Sequence, residues 1–343
     1  MIASRARAGS RAGLEGRELS KRALVGALIG ALASLIPWPE ILWDSFRFLF
    51  VDRENYIYKI EYQQSQLYRF YYYYEGVLDY FTDEFLWALI MDTSLRSNFL
   101  DYETLFQLIT TLSISGLAAI LARRMSYFAL ILIINPLVID FVYSQLRLAL
   151  ALSLLIWLVV FRVRAWYFLI PVALVAIMIH TSMLIFICAH FLATWTGSDG
   201  VWREWSVNKR TIVLVVFGIC IGILVGPLRE IVLSSVGDRR ADYQDASSSF
   251  LYLSYWIILF LSLIADRVRT LQSYESRYAL AILGIIFINL FSGFYSLRFI
   301  AAIFPFLICA SLRVFGQKNF IISIPFLIYF VFQWLYYIGN LTR

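Results

Sequence analysis

Apolar blocks separated by short charged links make up most of the chain. The blocks cover 126–142, 148–161, 166–193, 211–228, 249–265, 278–291, 299–310 and 319–338, and a further apolar run, 23–36, follows a basic N-terminus. A helix needs about 20 residues to cross the hydrocarbon layer of a bilayer, and fewer when it is interrupted or held in a bundle. Backbone groups in hydrocarbon must be bonded within the protein, so each block predicts a helix. No run alternates in polarity as the strands of a membrane barrel do. The pattern therefore predicts an all-α fold, a polytopic transmembrane helix bundle of about 10–11 spans. The spans are placed at 23–42, 103–122, 126–142, 147–161, 166–193, 211–228, 249–265, 277–291, 297–312 and 319–338.

Block 166–193 is too long for one ordinary span and too short for two. Arg162 and Arg164 flank it on one side and Arg203, Lys209 and Arg210 on the other. If both flanks are cytoplasmic, an even number of crossings is required. The block then folds as two half-spans, a re-entrant pair, meeting near His180, Thr181 and Ser182. One long tilted helix with 194–210 outside is the other arrangement the pattern allows.

Charge gives the orientation. Arg5, Arg7, Arg11, Arg17, Lys21 and Arg22 place segment 1–22 in the cytoplasm, and residues 23–343 form one transmembrane domain behind it. Ala31-Leu32-Ala33 has a faint likeness to a signal-peptidase site, but the apolar run continues past it, so an uncleaved first span is expected. The links with Arg123/Arg124, Arg162/Arg164, Arg267/Arg269 and Arg313 also fall on the cytoplasmic side. Segment 43–102 carries ten acidic residues against five basic ones, which suits the outer face, and it includes an amphipathic stretch. Its tyrosines Tyr68 and Tyr71 to Tyr74 suit either a membrane interface or a surface on which sugar rings stack.

Composition narrows the function. The chain is 61% hydrophobic and 15% charged, against about 25% charged in soluble domains, which excludes a soluble enzyme. The net charge of +6 lies in links that have a topological role, so no nucleic acid partner is expected. Cys188, Cys220 and Cys309 lie inside apolar blocks, where small buried side chains are expected. Two histidines exclude a histidine-rich metal site, and no phosphate-cradling glycine loop is present, so neither metal nor cofactor is expected.

Several polar groups converge on the outer side in this topology. Arg147 opens span 147–161, His180 lies at the break of 166–193, Arg229, Arg239 and Arg240 lie in the loop 229–248, and Arg298 opens span 297–312. Arginines at span ends commonly snorkel to headgroups, a histidine can be a bonded core residue, and loop arginines can be solvated. Several arginines on the face that the positive-inside rule disfavours also suit an anionic ligand. Their planar forks match phosphate oxygens.

Order and spacing carry a family resemblance. Asn135-Pro136, then Tyr143, Gln145 and Arg147, then Arg162/Arg164 and His180-Thr181-Ser182 resemble the EpsG family, the Wzy-like polymerases of bacterial exopolysaccharide and O-antigen. The family's Gln-x-Arg segment falls on Gln145 and Arg147, and its Asp-x-x-x-Tyr segment on Asp52 and Tyr56. Its glutamate-bearing segment falls on Glu84, with Phe85 where a proline often stands, and a late Tyr-x-x-Arg falls on Tyr295 and Arg298. The resemblance spans about 45–315.

It implies ten or more helices in the bacterial cytoplasmic membrane. The implied reaction is metal-independent glycosyl transfer at the outer face, from a glycan on undecaprenyl pyrophosphate to another lipid-linked repeat unit. The implied catalytic residues are His180 as general base, Arg147 and Glu84. The implied substrate-binding residues are Arg298, Asp52, Tyr56, Gln145, Arg239, Arg240 and Tyr295, with Arg147 and Arg298 on the donor pyrophosphate. Membrane lipids, a chain-length regulator and export proteins are the further partners. The alternatives are an O-antigen ligase, a GT-C glycosyltransferase, an O-acyltransferase and a lipid-glycan transporter. A ligase would have its large outer loop late, an acyltransferase a histidine near span 1, and a transporter internal repeats.

Overall fold

The computed structural model describes residues 2–43, 50–62, 76, 79–82, 84–96, 101–125, 127–161, 163, 165–228, 231, 250–292, 296–315 and 328–335. Among them the secondary structure is helical. The helices are α1 (Ile2–Ala33), α2 (Trp38–Trp43), α3 (Val51–Tyr62), α4 (Asp79–Thr82), α5 (Phe85–Arg96), α6 (Tyr102–Arg124), a 3₁₀ helix (Tyr127–Ile133), α7 (Pro136–Ser144) and α8 (Leu146–Phe161). They continue as α9 (Trp166–Ile179), α10 (Met183–Trp195), α11 (Val207–Val225), α12 (Phe250–Ala265), α13 (Arg267–Leu271), α14 (Tyr274–Ser292), α15 (Ser296–Ala302) and α16 (Phe304–Phe315). Three of these, α6, α11 and α14, are long and apolar enough to cross a membrane, and the bent pair Tyr127–Ile133/Pro136–Ser144 makes a fourth if counted as one span. The apolar side chains Ile212, Val216 and Leu224 of α11 are exposed, as on a helix made for an apolar surround.

Five of the ten expected spans, 103–122, 147–161, 211–228, 249–265 and 277–291, are helices within about four residues of their expected ends, and four others are cut short or interrupted. The first span ends at Ala33, not near 42. Pro37 brings no amide hydrogen and disfavours helical backbone at Ile36, so the chain turns before α2. Block 126–142 is interrupted at Asn135, whose side chain accepts from Leu137 N at 2.9 Å while Pro136 opens the next helix; the two pieces meet at 64°. Span 297–312 is interrupted at Ile303, one residue before the helix that holds Pro305 in its first turn. Block 166–193 divides at His180–Ser182 into α9 and α10. Of block 319–338 the described part, 328–335, is helical. The tyrosines 68 and 71 to 74, with Arg162, Arg164 and Arg229, lie outside the described residues.

The described chain forms two compact units, 1–183 with 334–343 and 184–333. In the first, α6 is the buried centre, with α1 and α8 against it. Gly26 and Gly30, four apart, let α1 approach closely. A Cβ on Gly26 would lie 2.5 Å from the Ala122 Cβ and 2.7 Å from the Ala118 oxygen, and one on Gly30 2.8 Å from the Ile114 oxygen. Small residues at such spacing are how helices pack in lipid, where dispersion and not water release drives association. Polar cross-links finish the contact with the next helices: Thr110 Oγ1 donates to Val142 O at 3.0 Å and Ser113 Oγ to Ala149 O at 3.1 Å. Arg123 donates to Val160 O at 2.6 Å and so caps the end of α8.

A bulky side chain at Gly30 must therefore push backbone apart. Gly30→Leu is expected to lower the amount of protein recovered from membranes several-fold, since forced overpacking costs about 1–3 kcal/mol or more. Leu24→Ala, at an exposed position of the same helix, is expected to accumulate normally. Equal levels of the two variants on a membrane immunoblot would contradict the packing described.

In the second unit α11 crosses α14 at Gly218 and Gly284, where a Cβ on Gly218 would lie 2.4 Å from the Ala281 oxygen. His190 Nδ1 meets the Tyr274 hydroxyl at 2.7 Å, so this histidine is a bonded packing residue. Arg277 donates to the carbonyls of Ala193 and Leu271, and Trp256 Nε1 donates to the Tyr329 hydroxyl at 2.7 Å.

Candidate active site

Four of the residues singled out in the sequence come together within the first unit, from four separate helical segments. Tyr56 is on α3, Glu84 stands before α5, Arg147 is in the first turn of α8, and His180 ends α9. Each is placed by a local feature. α9 stops because His180 turns to extended backbone, φ −153° and ψ 117°, and Thr181 and Ser182 form a turn. Glu84 has φ 56°, in the left-handed region that non-glycine residues seldom adopt, while its carbonyl accepts Trp87 N and Ala88 N to start α5. α5 packs against α9, and this brings the two ends to each other. Arg147 stands where a helix begins and the dipole disfavours a cation, so it needs a partner.

The partner is Glu84. One carboxylate oxygen, Oε2, accepts from Arg147 Nη1; the other, Oε1, pairs with His180 Nδ1 and accepts from Thr181 Oγ1 at 3.4 Å. Arg147 Nε donates to the Tyr56 hydroxyl at 2.6 Å, and the guanidinium lies 5.5 Å from the centre of the Tyr56 ring. Side-chain exposure rises outward from the carboxylate: 6% for Glu84, 18% for His180 and 35% for Arg147. A buried carboxylate thus has both oxygens engaged, and its two main partners retain an open side. Removing one member of a buried, bonded pair costs about 3–5 kcal/mol, because the other charge is left uncompensated. Burial holds the Tyr56 phenol above its ordinary range, against the pull of Arg147.

The Tyr56 helix is itself anchored to α7. Phe50, buried and left-handed at φ 65°, donates its backbone N–H to Asp140 Oδ1 at 3.2 Å, and Asp52 N donates to Ser144 Oγ at 3.2 Å. Asp140 and Ser144, four residues apart on α7, face the start of α3 together. Tyr143 between them donates to Ser34 O at 2.9 Å and Ile36 O at 3.1 Å, where α1 ends. Tyr56 also packs on Trp87 and Phe106, with ring centres 5.5 and 6.3 Å apart. Asp140, Ser144 and Trp87 escaped the sequence reading. A carboxylate inside an apolar block was the one signal that could have found Asp140.

Asp52 is half-buried and acts electrostatically on both Arg147 and Tyr56. Gln145 is half-buried at the link of α7 and α8, where its N–H donates to Phe141 O and its carbonyl accepts Ala149 N. Arg298 is exposed on α15, in the second unit. Arg239, Arg240 and Tyr295 lie outside the described residues. Among the described residues no group of three or more His, Cys, Asp or Glu is placed to hold a metal ion.

Comparison with family models, curated protein sequences and solved structures gives no match to this chain. The class of protein that fold and site define is therefore a chain helical among its described residues, with membrane-spanning candidates and a Glu84–His180–Arg147–Tyr56 cluster around a buried carboxylate.

Proposed function

We propose that this protein is a multi-pass enzyme of the bacterial cytoplasmic membrane that polymerises lipid-linked oligosaccharide repeat units into a surface polysaccharide. The observation that carries the reading is the pairing of His180 with a buried carboxylate. A carboxylate on one ring nitrogen fixes the tautomer and orientation of an imidazole and stabilises its cation, the arrangement that turns histidine into a general base. The resemblance in segment order to Wzy-like polymerases supplies the substrate class.

The reaction balances without a further reagent. Nδ1–H of His180 points to Glu84, and Nε2 takes the proton of an acceptor hydroxyl. The hydroxyl oxygen forms a bond to the anomeric carbon of the donor glycan as the bond from that carbon to the pyrophosphate oxygen breaks. Undecaprenyl pyrophosphate leaves with the electron pair, and Glu84 balances the imidazolium. Fixed cations must meet the leaving charge. His180 touches the reacting hydroxyl and is catalytic; Glu84 acts through it and is a positioning residue.

In a strain that lacks its own copy of the gene, the wild-type chain is expected to restore long surface polysaccharide on a gel, and single repeat units are expected without it. Restoration of the single-repeat form alone would contradict polymerisation. The topology has its own test. Periplasm-specific reporters fused at residues 70 and 266 are expected to be active and inactive respectively, because 43–102 is outside and the Arg267/Arg269 link inside. The same compartment at both positions would overturn the orientation.

A further inference from the structure

We propose that the Tyr56–Arg147–Glu84–His180 cluster is the subsite for the neutral acceptor sugar, and that Arg147 is engaged by Glu84 and takes no part in binding the donor pyrophosphate; this rests on the polymerase reading. The sequence alone made Arg147 a pyrophosphate ligand, on the grounds that an arginine on the outer face needs an anion. The anion is already inside the protein. Nη1 of Arg147 is on Glu84 Oε2 and Nε is on the Tyr56 hydroxyl, so two positions of the guanidinium fork are taken by partners at least half buried. A pyrophosphate that drew Arg147 away would leave a 6% exposed carboxylate without its cation. It would also meet the charge of Asp52, which acts on the same arginine.

What the cluster still offers is neutral. The Tyr56 hydroxyl accepts from Arg147, so its own proton remains to be donated. His180 has Nδ1 on Glu84, which leaves Nε2 as an acceptor. A donor and an acceptor in one cluster match two hydroxyls of a sugar ring, one to be deprotonated and one to be held. They present no net cation to a pyrophosphate.

The test uses the full chain in lipid nanodiscs and two readouts. Undecaprenyl pyrophosphate alone is the probe for the donor anion, by calorimetric titration. The acceptor is followed through KM and kcat for a lipid-linked repeat unit. Tyr56→Phe is expected to raise the acceptor KM about tenfold, the scale of one hydrogen bond, and to leave undecaprenyl pyrophosphate affinity within about twofold of wild type. Arg147→Lys is expected to lower kcat while keeping that affinity. Because Arg147 variants can strand Glu84, the double variant Arg147→Gln/Glu84→Gln, which removes both charges, is measured alongside, with the same affinity expected. A tenfold or greater loss of undecaprenyl pyrophosphate affinity in Arg147→Lys or in the double variant overturns the assignment and leaves the polymerase reading standing. A wild-type protein that joins no repeat units overturns that reading and this subsite with it.

Discussion

His180→Gln is expected to lower polymer yield by about 100- to 10,000-fold at unchanged protein level, the usual loss when a general base is removed. Glutamine keeps a polar group near Glu84 but cannot take a proton. Because the imidazole sits at a helix end, with 18% of its side chain open, the change removes chemistry and little packing. The variant should insert in the membrane, bind lipid-linked repeat units and leave them unjoined. Normal polymer from His180→Gln would move the base elsewhere. Loss of the protein itself in His180→Ala would make the histidine structural.

Glu84 is expected to be as sensitive, for two separable reasons. Glu84→Gln keeps the shape but loses the charge that balances Arg147 and orients His180. Polymer yield should fall by at least about a hundredfold, as when the orienting carboxylate of a triad becomes an amide. Left-handed backbone at φ 56° adds a second effect. Glycine adopts that conformation without penalty, and aspartate more readily than most residues. Glu84→Gly should therefore relieve backbone strain and still make no polymer. Glu84→Asp should also relax the backbone while drawing the carboxylate back by one methylene from Arg147 and His180. Yields measured at matched protein level separate the two effects: the strain is incidental if Glu84→Asp is fully active, and the carboxylate's reach decides if it is not.

Helix positions were legible in the sequence because the signal is additive over about 20 residues and needs no tertiary knowledge. Blocks 103–122, 147–161, 249–265 and 277–291 reappear almost unchanged as α6, α8, α12 and α14. The interruptions were less legible, because hydropathy does not register a single backbone group. Pro37 and Asn135-Pro136 are stop signals by sequence, yet both lie in runs apolar enough to hide them. The break at His180 was expected from charge on the flanks, although the sharp 64° bend lies at Asn135.

The site was legible one residue at a time. Tyr56, Glu84, Arg147 and His180 were each named, but four residues spread over 125 positions of chain carry no mark that says which pairs with which. That Arg147 meets a glutamate of the same chain follows only from the packing of α5 on α9 and of α9 on α8. Phe50 and Glu84, the two non-glycine residues with positive φ among the described residues, both precede helices that carry or flank the cluster. Strain of this kind persists only where the surrounding structure over-determines it, and it gathers at functional sites.

The most direct test reconstitutes purified wild-type protein and His180→Gln in parallel proteoliposomes with undecaprenyl-pyrophosphate-linked repeat units as the added substrate. Wild type is expected to give a ladder of glycans that lengthens with time, and His180→Gln to leave single units. A wild-type protein that yields no product longer than one repeat, or a His180→Gln variant that builds the same ladder, would contradict the account.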